Sequence, residues 1–185
     1  DIRDVNPNPA RWDQKKAEAI NAEHIRRLEP SDFAARLVPY LQRDAVLSPA
    51  PSAADLDRVA EIAPLVQTRV QVLSEATAMV APFFVADGEL PVADDARAQL
   101  GDRAPEVLDA ALGALEKVET WEAAALEAAL RGALVEGLGL KPRVAFGPVR
   151  TAVSGQRISP PLFESMQILG RTSALARLQR LRVTL

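Results

Sequence analysis

The chain has 185 residues, enough for one large or two small domains with a buried core. It has no cysteine and one histidine, which excludes disulfides, thiolate zinc sites and cysteine nucleophiles and agrees with a reducing compartment. Charges interrupt every apolar stretch well short of the roughly 20 residues needed to cross a bilayer, and no charged-then-apolar leader opens the sequence, so a cytoplasmic protein is expected. The net charge of −3 hides an asymmetry: residues 1–136 carry 14 Lys+Arg against 24 Asp+Glu, whereas residues 137–185 carry 8 against 1. A basic segment behind an acidic body is a footprint for a polyanion, although helices are also basic for solubility alone.

The opening DIRDVNPNP reads as a linker, and with no initiator Met the sequence reads as a piece of something longer. The first helix is predicted from Pro9 to Leu28, with Asn8 as cap and Pro9 at the first helical position. Trp12, Ala19, Ile20 and Ile25 form its stripe, and Pro30 ends it. Ser31 is then predicted to cap a second helix carrying Phe33, Leu37, Tyr40 and Leu41. SPAPSAADL is a linker leading to Ser52, the cap of a third helix over 53–67. Residues 65–92 hold two short helices at most, because Pro82 and Asp87-Gly88 break the period.

A subdomain boundary is predicted near Gly101, followed by a helical hairpin over 102–118 and 120–136 with Thr120 as the second cap. Gly137 and Gly139 stop it, Lys141-Pro142 restarts the chain, and helices near 142–153, 160–169 and 172–182 follow, punctuated by Gly155 and Gly170. Sparse aromatics, abundant small helix formers and little β-branched alternation give an all-α fold of two consecutive helical bundles. The division is 1–30, a linker and helix, then 31–101 and 102–185, one bundle each.

The inventory for catalysis is poor. His24 sits among Glu23, Arg26 and Arg27 and reads as a surface or packing histidine, with no partner pattern for a triad or a zinc site. Asp55, Asp57, Asp94 and Asp95 stand at predicted helix starts and read as caps. Neither common glycine-rich phosphate loop is present.

Two segments resemble one family. PARWDQKKAEAINAEHIRRL at 9–28 resembles the helix following the catalytic core of glutamyl-tRNA synthetases. LKPRVAFGPVRTAVSGQRISPPLFESMQILGRTSALARL at 140–178 is similar to that family's terminal anticodon-binding module, through its Pro-Val-Arg, Ser-Gly, Ser-Pro-Pro-Leu-Phe-Glu and Leu-Gly-Arg steps in order. The middle, about 45–135, carries only helical texture and the LVQTRVQVL segment.

The resemblance implies a helical cage that holds the anticodon arm of a glutamate tRNA, in a monomer without DNA or membrane partners. The HIGH-type and KMSKS-type signatures of a class I synthetase are missing and would lie before residue 1. Activation of glutamate with ATP and Mg therefore belongs to the longer polypeptide, and no cofactor is expected within these residues.

Unstacked anticodon bases are read by stacking and by hydrogen bonds to their exposed edges. The resemblance places Arg150, Ser159, Pro160, Leu162 and Phe163 against them. The alternative for Leu162 and Phe163 is a hydrophobic staple at a helix start. Arg69 falls where the family reads the third anticodon base, with Gln67 as the alternative register. Lys141, Arg143, Arg157 and Arg171 are candidate phosphate contacts or plain surface charge. Lys15 and Lys16 sit where the inner side of the tRNA would pass. The rival readings are a non-catalytic helical protein-interaction module, which would expose an apolar groove, and a small helical lyase or transferase.

Overall fold

A computed structural model describes residues 13–185. Among them there is no strand, and no helix is long and apolar enough to cross a membrane. The first helix, α1, is Gln14–Arg26, capped by Asp13, whose carboxylate accepts the backbone N–H of Lys16 at 3.1 Å. The predicted start at Asn8, Pro9 and Trp12 lies outside the described residues. Helix α2 spans Pro30–Arg43. Its start corrects the prediction: Pro30 opens this helix instead of closing the previous one, with Glu29 rather than Ser31 at the cap. Proline's fixed φ and missing N–H suit a first helical position as well as they suit a stop.

Phe33, Leu37 and Leu41 recur every four residues on α2 and are essentially inaccessible. Each contributes on the order of 1.5–3 kcal/mol relative to exposure. They meet Val59, Ile62 and Val66 of α3, Ala53–Gln67, in the first hydrophobic core. Ser52 and Asp55 close a capping box at the start of α3: the Ser52 N–H donates to the carboxylate at 2.9 Å, and the Asp55 N–H donates to Oγ at 3.2 Å. An irregular helical stretch follows, 3₁₀ at Leu73–Glu75, α4 at Ala76–Val80 and 3₁₀ again at Ala81–Phe83. The short α5 is Asp94–Arg97.

The second core gathers α6, Ala104–Leu115, α7, Ala123–Leu130, α8, Pro142–Ser154, and α9, Leu162–Val183. Helix α7 continues as π-helix over Arg131–Gly137. Its predicted cap at Thr120 is replaced by Glu122 at the cap position and by Gln167 of α9, whose Oε1 accepts the Ala123 N–H at 2.7 Å. A tertiary side chain thus supplies the acceptor a local one was expected to give. The last two predicted helices run as one stretch interrupted at Gly170, where φ is 79° and ψ is 165°. Only glycine adopts that conformation cheaply.

The two cores are tied at several places, and Ile168 of α9 packs against the first. Leu169 packs against both. Gln156 donates to the carbonyl of Ala78 at 2.7 Å. Arg177 is 3% exposed and sends its guanidinium from α9 to Asp87 at 2.6 Å, to the carbonyls of Pro82 and Val85, and to that of Val153 in α8.

Candidate nucleic-acid interface

The eight basic residues of 137–185 have different employments. Arg177 is consumed in the joint just described. Arg180 donates to the carbonyl of Leu90, and Arg182 makes a paired contact with Asp109 at 2.8 and 2.9 Å. Arg171 lies 5.0 Å over the ring of Trp121 and donates to the backbone carbonyl of Val118. Every one of these is on α9. The remaining four, Lys141, Arg143, Arg150 and Arg157, lie on α8 or at its two ends. Lys141, Arg143 and Arg157 are exposed and have no carboxylate partner among the described residues.

Arg150 is half-buried near the C-terminal end of α8. Its Nη1 donates to Ser159 Oγ at 2.8 Å and to the carbonyl of Pro160 at 3.1 Å. Burial draws this guanidinium below the ordinary arginine value, and the positive charge of Arg69 draws it the same way. Arg69, from the first bundle, is thus near enough for its charge to act on Arg150. Arginine stays charged at neutral pH, so this pair is a standing attraction for an anion or for the acceptor edge of a base.

Gln67, the alternative to Arg69, is taken. It is 7% exposed, and its Nε2 donates to the carbonyls of Ile25 and Leu28, both at 2.8 Å, closing the end of α1. Arg69 follows the end of α3 and is exposed.

The turn joining α8 to α9 is shaped by Gly155, in the left-handed region at φ 67°. A Cβ there would collide with the carbonyl oxygen of Pro91, and the Gly155 carbonyl accepts the Ala93 N–H at 2.8 Å. This close approach of two backbones fixes where Gln156, Arg157 and Ser159 emerge. Ser159 is 5% exposed and Pro160 is buried. Leu162 is 4% exposed within the second core, as the staple alternative has it. Phe163 is half-buried against the same core, with its ring edge-on to Phe146 at 5.5 Å between centroids. The predicted loop is therefore assembled around Arg150, but it presents Arg150 and Phe163 rather than Leu162.

Arg171 stands apart from this group, committed to the α6–α7 turn. Lys15 and Lys16 are exposed on the first turn of α1. His24 is exposed, and no group of described residues has the acids or imidazoles to hold a metal ion.

Sequence reading missed two contributors. Phe146 and Gln156 share with Arg150 a cleft of about 840 Å³ between α8 and the α5–α6 connection. Phe146 was legible, standing four residues before Arg150 on the same helical face.

The family model described as Anticodon binding domain matches residues 32–182. The glutamate–tRNA ligase of Kineococcus radiotolerans is 59% identical over the whole chain, which covers 37% of that protein. That of Kocuria rhizophila is 56% identical, again over all of this chain and 37% of its own length. The chain thus spans little more than a third of the curated relatives it matches. Among solved structures, a glutamate–tRNA ligase from Elizabethkingia meningosepticum superposes with a TM-score of 0.77 at 16% identity, over 100% of this chain and 35% of that one, a likeness of fold. With its all-helical architecture and the match over 32–182, this chain belongs to the anticodon-binding-domain family.

Proposed function

We propose that this chain reads the anticodon of a glutamate tRNA as the anticodon-binding part of a glutamate–tRNA ligase. The observation that carries the proposal is Arg150, half-buried and anchored through Nη1 to Ser159 Oγ and the Pro160 carbonyl in the loop that the resemblance marks, with no carboxylate partner among the described residues. The high identity to glutamate–tRNA ligases supports the choice of tRNA. Attachment of glutamate, with ATP and Mg, would belong to residues of the ligase outside this sequence.

In this reading Arg150 spans from the Ser159 hydroxyl and the Pro160 carbonyl to a base edge, Phe163 offers a ring beside it, and Arg69 approaches the third base. Lys141, Arg143 and Arg157 bind phosphate and fix the strand without reading it. The protein acts in the cytoplasm as a monomer on RNA rather than DNA. Residues 31–101 and 102–185 are proposed as its two folding units, behind a connecting segment at 1–30. Limited proteolysis should nick first between 84 and 102, and a first cut inside either core would count against this division.

The test of function is Arg150→Ala, followed by fluorescence anisotropy with a glutamate-tRNA anticodon stem-loop and a scrambled loop. Loss of a bidentate contact costs roughly 1–3 kcal/mol. Binding of the cognate loop should weaken by about one to two orders of magnitude with helix content unchanged. Parent-like affinity would remove Arg150 from the site.

A further inference from the structure

We propose that Arg177 is a positioning residue for anticodon reading: it fixes the end of α8 that carries Arg150 against the first core, and so sets how sharply a cognate loop is told from a wrong one. This rests on the reading of Arg150 as an anticodon contact.

Four of the five N–H groups of the Arg177 guanidinium are engaged, and they diverge. Nε reaches Asp87 Oδ1 at 2.6 Å, Nη1 reaches the carbonyls of Pro82 and Val153, both at 2.9 Å, and Nη2 reaches the Val85 carbonyl at 3.0 Å. The stem of the side chain is rooted in the second core, where its neighbours Ala174 and Leu178 are inaccessible. Three of the four acceptors belong to the segment 82–87, whose Phe83 is buried in the first core. The fourth lies on the last turn of α8, where a helix leaves its final carbonyls without internal donors. One side chain thus grips both cores and the end of α8 at once.

Arg150 stands three residues before Val153, about 4.5 Å along the helix axis. A helix is stiff over that span, so a tilt or slide of the gripped end carries Arg150 with it. Two further contacts bear on the same end: the Gly155 carbonyl accepts the Ala93 N–H at 2.8 Å, and Gln156 donates to the Ala78 carbonyl at 2.7 Å. On the other side the line of contacts continues into α3. Arg58 of that helix donates to the Phe83 carbonyl at 3.0 Å, and Arg69, whose charge acts on Arg150, follows its C-terminal end. The two arginines assigned to the anticodon are therefore linked through residues 78–93. Among the described residues, Arg177 is the one buried side chain that donates to the carbonyls of this segment. Lysine in its place would keep a charge beside Asp87, but its donors leave from a single nitrogen and do not span acceptors on separate elements.

The experiment compares the 185-residue chain with Arg177→Lys, Arg177→Met and Leu41→Ala, the last a truncation in the first core outside the joint. Each is assayed by anisotropy with cognate and scrambled anticodon stem-loops, at a temperature where circular dichroism shows it folded. Because the chain has no cysteine, Ala35→Cys and Ala128→Cys, at exposed positions of α2 and α7, can carry a spin-label pair that reports the distance between the bundles. Coupling of this kind is worth roughly 2- to 30-fold in binding. The cognate-to-scrambled ratio should fall within that range in Arg177→Met and by a smaller factor in Arg177→Lys, and the inter-label distance distribution should broaden in the same order. Leu41→Ala should lose thermal stability yet keep the parent ratio and the parent distribution.

A parent ratio in both Arg177 variants would overturn the proposal, and if Arg177→Met does not fold, Arg177→Lys decides alone. An equal fall in Leu41→Ala would overturn it too, by making discrimination a matter of general stability. So would a lost ratio at an unchanged inter-label distance, since Arg177 would then act without moving the bundles. If the unaltered chain fails to prefer the cognate loop, the anticodon reading itself falls and this extension with it, an outcome distinct from all the others.

Discussion

Helices α8 and α9 are neighbours, both arginine-rich, and they use the same residue for opposite purposes. On α9, Arg171, Arg177, Arg180 and Arg182 turn inward or sideways onto carbonyls and carboxylates of the protein. On α8 and at its ends, Lys141, Arg143 and Arg157 reach no acid among the described residues, and Arg150 meets only a hydroxyl, a carbonyl and another cation. Net charge along the sequence treats the eight alike. What separates them is whether unpaired acceptors lie within reach: the irregular segment at 82–90 exposes carbonyls that a helix would have satisfied internally, and α9 runs against it.

The largest effect that would sharpen this contrast is at Arg177. Arg177→Met should cost about 3–5 kcal/mol in denaturant unfolding, since it removes a buried charge that satisfies Asp87 and three carbonyls. A loss below about 1 kcal/mol would show that the α9 arginines are no more structural than those of α8.

A smaller change is expected at Arg171→Ala. It removes a ring contact and carbonyl hydrogen bonds at a half-exposed position, costing about 1–2 kcal/mol of stability. Binding of an anticodon stem-loop should keep its parent salt slope. A slope flattened by about one unit would move Arg171 into the phosphate-binding set and break the division between the two helices.

These residues also show what was legible in the sequence. Ser52 and Asp55 were readable as a cap because both partners lie within four residues and the geometry is local. The all-helical class was readable for the same reason, since helical periodicity is a short-range property. Gln67 and Arg69 were not separable: both are polar, two residues apart, and the choice depends on carbonyls at Ile25 and Leu28 some 40 residues earlier. The predicted Thr120 cap failed likewise, the acceptor for the Ala123 N–H being Gln167, 44 residues later. At the candidate interface the resemblance marked Arg150 and its loop. That Leu162 faces the core while Phe163 sits at its edge depends on how α9 rolls against α6 and α7, a tertiary fact.

The joint made by Arg177 has a consequence for the order of assembly. Its acceptors at Pro82, Val85 and Asp87 lie 90–95 residues earlier in the chain. The first core draws its fully buried residues from positions 25–83 and can consolidate while the remainder is still being made. The Arg177 joint itself must wait until residue 177 has left the ribosome and a long loop has closed. A ribosome-bound chain stalled before that point would hold a folded first bundle but lack the Arg177 joint to α9. Under the proposed function, competence to grip RNA would then arrive late in the birth of the protein.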